Sequence, residues 1–378
     1  MSTLRNAVFA SFLLATLPAM SATFVYVSNA DDGNIGIYSL QSDGTLKDAG
    51  RVPSGKPVMP LATSPDKRFL YASIRSKPFS VQTFAIDAKS GALKSVATAP
   101  LAESFPYIST DKTGRFLFGA SYGGNLVSVN PIGADGRVGD PMQVIPTARN
   151  AHSIVIDNTN RYVFVPHLGT DQVLQFVFDP QTGRLAANTP PLIQLKANTG
   201  PRHAIVSSDN RYLYLLSEMT GTVTTLAIDA KTGQLSEKDS VSVLPPDSKL
   251  GPGMPRGAVG TPTANQAPRN TDNDIWASDL HLTPNGRFLY AAERTGSTIT
   301  GFSVDAASGK LTYIGSTPTE KQPRGFAIDP SGKYLVASGE KSDTISVYAI
   351  DGASGALKDL GKYPTGKGSN WVQIVGFE

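Results

Sequence analysis

The chain has 378 residues, with 34 lysines and arginines against 31 aspartates and glutamates, and it contains no cysteine. This near balance of charge does not indicate a polyanionic partner, and no basic stripe with interleaved aromatic residues indicates nucleic-acid binding. Without cysteine, the chain can form neither a disulfide framework nor a thiolate metal site.

Residues 1–22 have the pattern of a secretory signal peptide. Arg5 supplies a short positive region, residues 7–19 are almost wholly apolar, and the small residues Ser21 and Ala22 close the segment. The apolar run is too short to span a bilayer comfortably, which disfavours an uncleaved anchor. We therefore expect an exported protein, periplasmic in a Gram-negative source, without a membrane segment after cleavage and with its domain at residues 23–378.

A short motif recurs along the remaining chain: a polar turn, a basic residue, an aromatic residue and an apolar run. It is clearest at residues 64–71, and its aromatic position falls at Phe69, Phe116, Tyr162, Tyr212, Phe288 and Tyr334. A half copy without the turn begins at Phe24, 45 residues before Phe69. The seven units have roughly the length of a propeller blade.

Each unit reads as four short strands. In the second unit we predict strands at 59–63, 69–74, 80–86 and 92–98, with an Asp-x-x-Ser-Gly turn at 87–91 before the fourth. The chain opens on a second strand and ends on an apolar strand at 370–376, so we expect these two strands to pair and close the ring. The prediction is one all-β domain, a seven-bladed β-propeller closed by its N- and C-terminal strands.

One unit carries an insertion. Residues 245–274 are rich in glycine, proline and asparagine and show almost no alternation of apolar and polar residues, which indicates a loop and not a further blade. Two interpretations remain open, a surface excursion and a flap over the channel mouth.

The repeat also predicts where a site should lie. In a propeller, the innermost strand of a blade begins on the same face on which its second strand ends. Ten residues before the repeated aromatic stand Met59, Pro106, His152, Arg202, Ser278 and Arg324, and six residues after it stand Arg75, Tyr122, Leu168, Glu218, Arg294 and Glu340. These positions vary and are strongly polar, as expected of groups that converge on a ligand.

The residue types at these positions favour acid–base chemistry on an anionic or oxyanion-forming substrate. Arginine presents donors suited to a carboxylate or an oxyanion. His152 is a candidate acid or base; Glu218 is either a second one or the ion-pair partner of an arginine, and Glu340 is read as such a partner. Of the other histidines, we read His203 as structural and His281 as packing, and leave His167 open.

Several other chemistries lack their sequence signals. No Gly-x-Ser-x-Gly elbow marks a serine nucleophile. The four histidines have no dense metal-ligand spacing, and no glycine-rich dinucleotide motif occurs, so we expect neither a metal nor a cofactor.

In six segments the sequence resembles the seven-bladed propeller lactonases, a family that holds bacterial 6-phosphogluconolactonases and fungal carboxymuconate lactonising enzymes. The segments are Ala-His152-Ser, Gly200-Pro-Arg-His203, Leu-Ser-Glu218, Ala292-Glu-Arg-Thr295, Gln322-Pro-Arg-Gly-Phe326 and Trp371-Val. The resemblance covers essentially everything after residue 22. It implies that His152, Arg202, Glu218 and Arg294 are the catalytic set.

From this resemblance we expect a lactonase that hydrolyses gluconolactone or 6-phosphogluconolactone to the open acid. We expect it to work as a monomer whose partner is this small molecule, without nucleic acid. We expect Arg324, Tyr122, Ser278, Arg75 and Glu340 to bind the substrate. Export departs from the family, whose phosphogluconolactonases usually work in the cytoplasm, and the insertion is longer than the family's usual loop. A carboxymuconate-type lactonising enzyme and a non-enzymatic ligand-binding propeller remain as alternatives.

Overall fold

The computed structural model describes residues 22–257 and 270–377, which form seven four-stranded antiparallel sheets and no α-helix. The expected signal peptide, apart from Ala22, lies outside the described residues. Within them, no helix is long and apolar enough to cross a membrane.

The strands follow the repeat. Blade 1 holds β1 (Ala22–Asn29), β2 (Asn34–Leu40) and β3 (Leu46–Pro53). Blade 2 holds β4 (Val58–Thr63), β5 (Phe69–Ile74), β6 (Ser80–Ile86) and β7 (Leu93–Pro100). Blade 3 holds β8 (Tyr107–Thr110), β9 (Phe116–Ser121), β10 (Leu126–Pro131) and β11 (Gln143–Pro146), and blade 4 holds β12 (Val155–Ile156), β13 (Tyr162–His167), β14 (Gln172–Asp179) and β15 (Arg184–Gln194).

Blade 5 holds β16 (Pro201–Val206), β17 (Tyr212–Ser217), β18 (Thr222–Ile228) and β19 (Leu235–Ser242). Blade 6 holds β20 (Ala277–Leu282), β21 (Phe288–Glu293), β22 (Thr298–Val304) and β23 (Leu311–Pro318). Blade 7 holds β24 (Pro323–Ile328), β25 (Tyr334–Gly339), β26 (Thr344–Ile350) and β27 (Leu357–Pro364), and the chain ends in β28 (Ser369–Phe377). The predicted second unit is confirmed, with strand ends that differ by at most two residues.

The ring closes within blade 1, as predicted. Strand β28 is the innermost strand of that blade and pairs antiparallel with β1, with Ala22 opposite Phe377 and Val27 opposite Val372. The two ends of the domain therefore occupy one sheet, and the ring has no unpaired blade edge where the chain begins and ends.

The hydrophobic core is divided among the interfaces between blades. Eight clusters of buried residues are found in the described chain, and seven of them each join two neighbouring blades; one of these seven packs Val25 of blade 1 against Val336 of blade 7. Alternation along each strand buries both faces of a sheet against its two neighbours. The ring is thus the unit that excludes water, because a single blade would leave two apolar faces exposed.

The inserted segment runs from β19 to β20 and returns to the channel mouth. The amide of Gly253 donates to the carbonyl of Met219 at 2.8 Å, and the hydroxyl of Tyr122 donates to the carbonyl of Arg256 at 2.7 Å. Residues 253–257 therefore lie over the blades that carry the predicted site. Residues 258–269 of the insertion lie outside the described parts of the chain.

Candidate active site

A cavity of about 480 Å³ opens at the predicted mouth of the channel. Nine of the twelve register positions line it: Met59, Arg75, Pro106, Tyr122, His152, Glu218, Arg294, Arg324 and Glu340. Five of these side chains belong to the residue that directly follows the second strand of its blade. Counting six residues from the repeated aromatic therefore finds them in five different blades.

Glu218 lies between two arginines of the predicted catalytic set. Its Oε2 accepts hydrogen bonds from Nε of Arg202 and Nη2 of Arg294, each at 2.7 Å, and all three side chains are at most 5% exposed. Burial raises the pKa of Glu218, but the charges of Arg294 and Arg202 outweigh it and bring the pKa below its usual value. Glu218 is therefore ionised at neutral pH and is a weak base, because two guanidinium groups share its charge.

Three hydrogen-bond acceptors hold the guanidinium group of Arg294, and Glu218 is one of them. The Nε of Arg294 donates to the carbonyl of Trp276 at 3.0 Å, and its Nη2 also donates to the carbonyl of Ala277 at 3.1 Å. Burial lowers the pKa of Arg294 to about 9, so the group remains protonated at neutral pH. Within the described chain nothing accepts a hydrogen bond from Nη1, so this donor is available on a residue that lines the cavity.

The ring of Trp276 is stacked between two arginines. The guanidinium carbon of Arg294 lies 3.7 Å from the ring centroid, and that of Arg256, from the inserted segment, lies 3.6 Å from it. Both contacts are within the range of cation–π attraction. The insertion thus helps to position Arg294, and no periodic signal in the sequence indicates either Arg256 or Trp276.

Arg202 and Ser278 lie in the wall and do not line the cavity. Arg202 is 1% exposed and also donates through Nη1 to the carbonyl of Ser278. The Ser278 hydroxyl donates to the carbonyl of Pro323 at 2.7 Å. Ser278, which was expected to bind the substrate, does not line the cavity because its short side chain bonds between two inner strands.

His152 lines the same cavity as Arg294. Its ring lies 5.5 Å from the ring of Tyr122 and 5.2 Å from that of His203, and its Nδ1 is buried without a hydrogen-bond partner among the described residues. Burial and the nearby charge of Arg202 lower the pKa of His152 well below its usual value. The imidazole is therefore neutral at neutral pH and can accept a proton.

Arg75 is a buried cation at the far side of the cavity. Its Nε donates to the hydroxyl of Ser104 at 2.9 Å and its Nη1 contacts Sδ of Met59 at 3.1 Å, with no carboxylate paired to it in the described chain. Burial and then Arg324 lower the pKa of Arg75 to about 9. An unpaired buried charge is costly, which is consistent with a place reserved for substrate oxygens.

Arg324 and Glu340 form a second charged group beside Arg75. Nη1 of Arg324 lies 3.4 Å from Oε1 of Glu340, and Nε2 of Gln322 donates to Oε2 of Glu340 at 2.8 Å. The prediction that Glu340 is the partner of an arginine is confirmed. Their polar atoms remain part of the cavity wall and can also meet substrate hydroxyls.

The other histidines lie outside this cavity. His203 lines a second cavity of about 380 Å³ and bonds through Nδ1 to Oδ1 of Asp279 at 2.9 Å. His281 packs on the ring of Phe326, as predicted, but its Nε2 also lies 3.1 Å from Oδ2 of Asp279. His167 is fully buried, with Nδ1 bonded to the carbonyl of Val165 at 2.8 Å.

Asp279 had no signal in the sequence, because it follows a register position by one residue and faces the other side of its strand. No group of three or more histidine, aspartate or glutamate side chains in the described parts of the chain has the arrangement of a metal site.

Comparison with known proteins gives consistent results. The family model "Lactonase, 7-bladed beta-propeller" matches residues 24–374. A 6-phosphogluconolactonase of Serratia proteamaculans is 39% identical over 305 residues, which cover 81% of this chain and 84% of that enzyme. A 6-phosphogluconolactonase of Pectobacterium carotovorum is 36% identical with the same coverage. The structure of the Pseudomonas aeruginosa periplasmic gluconolactonase is similar, with a TM-score of 0.79 and 26% identity over 94% of this chain and 99% of that one.

Proposed function

Because the chain belongs to the seven-bladed β-propeller lactonase family and is a hydrolase of a lactone ester, we propose that it opens a six-carbon aldonolactone, gluconolactone or its 6-phosphate. The names of its relatives support this substrate class. The observation that carries the proposal is that a neutral histidine and a protonated arginine with a free donor line the same cavity. The non-enzymatic alternative is set aside by the family, and no observation favours the lactonising one.

Arg294 is the oxyanion-stabilising residue in this proposal. Its Nη1 has no acceptor in the described chain and would donate to the lactone carbonyl, and a fixed donor there stabilises the negative charge that develops on the oxygen. Glu218 does not take part as a base, since its Oε2 already accepts from two guanidinium groups. Together with Arg202, it holds Arg294 in place.

His152 is the base in this proposal. It takes a proton from water as the water oxygen bonds to the carbonyl carbon and the carbonyl electrons move to the oxygen near Arg294. When the tetrahedral intermediate collapses, the bond between the carbonyl carbon and the ring oxygen breaks, and the proton passes from His152 to that oxygen. A general base contributes about a hundredfold to ten-thousandfold in rate.

Four polar side chains are left for the substrate hydroxyls: Tyr122, Arg75, Arg324 and Glu340. All four line the cavity. Arg75 is the strongest of these candidates, because its buried guanidinium has no carboxylate partner among the described residues. Ser278 does not line the cavity and contributes only through its hydrogen bonds within the wall.

We also propose that the protein acts in the periplasm as a monomer, with residues 1–22 as a cleaved signal peptide and 23–378 as the mature domain. The charged start, the apolar run and the small residues that end the segment support export. The periplasmic gluconolactonase among the similar structures agrees with this location. Loss of residues 1–22 from the protein recovered from a periplasmic fraction is the expected result of N-terminal sequencing.

The test is acid release from gluconolactone and from its 6-phosphate at constant pH, corrected for spontaneous hydrolysis. Loss of an oxyanion donor costs about 3 kcal/mol, so Arg294→Ala should lower kcat by a hundredfold or more. Lys341→Ala removes an exposed positive charge from the same cavity and serves as the matched control. Turnover of both lactones by Arg294→Ala at the wild-type rate would contradict the assignment.

A further inference from the structure

A histidine and an aspartate that the proposed mechanism does not use lie directly behind His152. The rings of His152 and His203 are 5.2 Å apart and inclined by 64°. His203 is 2% exposed and Asp279 is 6% exposed. They line the second cavity, so the contact between the two histidine rings separates the two cavities of the channel.

Asp279 determines which nitrogen of His203 carries the proton. Its Oδ1 accepts from the amide of Leu280 at 3.0 Å as well as meeting Nδ1 of His203, and its Oδ2 meets Nε2 of His281. Burial raises the pKa of Asp279, but its contacts with His281 and His203 outweigh this and place the pKa far below the usual range. An ionised carboxylate only accepts hydrogen bonds, so Nδ1 of His203 carries the proton and Nε2 has a free lone pair.

One nitrogen of each of the two neighbouring rings is then left without a partner. Nε2 of His203 and Nδ1 of His152 are both buried, and neither has a hydrogen-bond partner among the described residues. A buried polar atom without a partner costs about 1–3 kcal/mol. One is an acceptor and the other can be a donor, so a hydrogen bond between the two rings would satisfy both.

We propose that Asp279 and His203 are positioning residues for His152: Nε2 of His203 accepts the Nδ1 proton of His152 and so leaves Nε2 of His152 free to take a proton from water. The positive charge that His152 gains is offset by Asp279 through His203. The inference rests on the proposed role of His152 as the base. Neither Asp279 nor His203 touches the substrate.

The tautomers can be measured without any lactone. The chain has four histidines, so a ¹H–¹⁵N spectrum of protein labelled at histidine contains four ring systems. At neutral pH both His152 and His203 should show the tautomer with the proton on Nδ1. A His152 ring protonated on Nε2 in the wild-type protein would overturn the proposal, whether or not the protein hydrolyses either lactone.

Asp279→Asn is the informative variant, because it keeps the shape and can donate from its amide to Nδ1 of His203. His203 then carries its proton on Nε2, and His152 is forced into the wrong tautomer. We expect kcat to fall by about a hundredfold or more, with KM nearly unchanged, as for other losses of general-base catalysis. His203→Phe keeps the ring packing, removes the acceptor and should give the same split between kcat and KM.

His281→Phe is the matched control. It also removes a histidine from Asp279, but from the oxygen that faces away from His203, and its side chain does not contact His152. It should retain kcat near that of the wild type. A kcat loss equal to that of Asp279→Asn would mean that Asp279 acts only through the local fold, and unchanged kcat in both Asp279→Asn and His203→Phe would reject the relay.

Discussion

A single carboxylate oxygen organises the side of the cavity that we propose to be catalytic. Oε2 of Glu218 accepts from both Arg202 and Arg294, and burial lowers the pKa values of these arginines to about 10 and about 9. The three charges are stable together because each cation is paired with Glu218, and removing the carboxylate would leave two buried cations uncompensated. The consequence is a rigid Arg294 and not a reactive glutamate.

Glu218→Gln should therefore unfold more easily as well as lose activity. Removing the shared charge leaves two buried guanidinium groups unpaired, which costs about 3–5 kcal/mol. Urea unfolding of the variant and the wild type measures the difference. Glu340→Gln is the control, since its ion pair with Arg324 is longer and partly exposed and should cost about 1 kcal/mol or less. Equal stability of Glu218→Gln and the wild type would contradict this account.

The sequence predicts a residue of this site only where that residue lies within the repeated unit. Residues fixed by the blade geometry, such as His152 and Arg294, are found by counting from the repeated aromatic. Trp276 and Arg256 are not, because they belong to the insertion or to its end, where no repeat applies. The sequence left open whether Glu218 is an acid or base or the ion-pair partner of an arginine. The structure favours the ion pair, because both arginines bond to one oxygen of Glu218.

At the scale of the blade, the repeated aromatic has a second use. In each of the seven units of the described chain, the ring packs against a glycine of the neighbouring blade's outer hairpin, as Tyr162 does against Gly233. Gly233 has a φ of +69°, and a Cβ atom there would overlap the ring of Tyr162. The glycine thus serves both the left-handed turn and the close approach of two blades.

Gly233→Ala should destabilise the ring. Overpacking costs about 1–3 kcal/mol, and the left-handed backbone adds about 1 kcal/mol for a residue with a Cβ. Gly352→Ala is the matched control, because a methyl group added to that hairpin glycine would have no atom within 4 Å and the glycine has no positive φ. Thermal unfolding should show a lower Tm for Gly233→Ala only, and equal Tm values would show that the blades do not depend on this contact.

The sequence predicted the strands of a blade and the turn glycine, but it did not predict the contact of that glycine with the next blade. Alternating apolar residues and the Asp-x-x-Ser-Gly turn act within one unit, and they placed β4 to β7 within two residues. The contact of Gly91 with Phe24 joins two units, and a sequence pattern does not specify which surfaces meet. Contacts between units become visible only in the closed ring.

At the scale of the whole molecule, closure makes the position of the chain ends unimportant to the core. Ala22 and Phe377 are opposite each other in one sheet, and the seven hydrophobic clusters lie between blades all around the ring. Stability should depend on complete blades and not on where the backbone is cut. The structural role of β28 as the inner strand of blade 1 should therefore not depend on its position at the end of the chain.

A circular permutant tests this separation. A short linker can join Phe377 to Ala22, because paired antiparallel residues lie about 5 Å apart, and new ends can be placed in the exposed hairpin at Gly352. The permutant should fold and keep the wild-type kcat on whichever lactone the enzyme accepts, since no blade loses a strand. Truncation after Gly368 is the contrast: it removes β28, exposes the inner edge of β1, and should give aggregated protein by size-exclusion chromatography. A soluble, active truncation would show that closure by β28 is dispensable, and an inactive permutant of normal stability would show that the ends themselves shape the site.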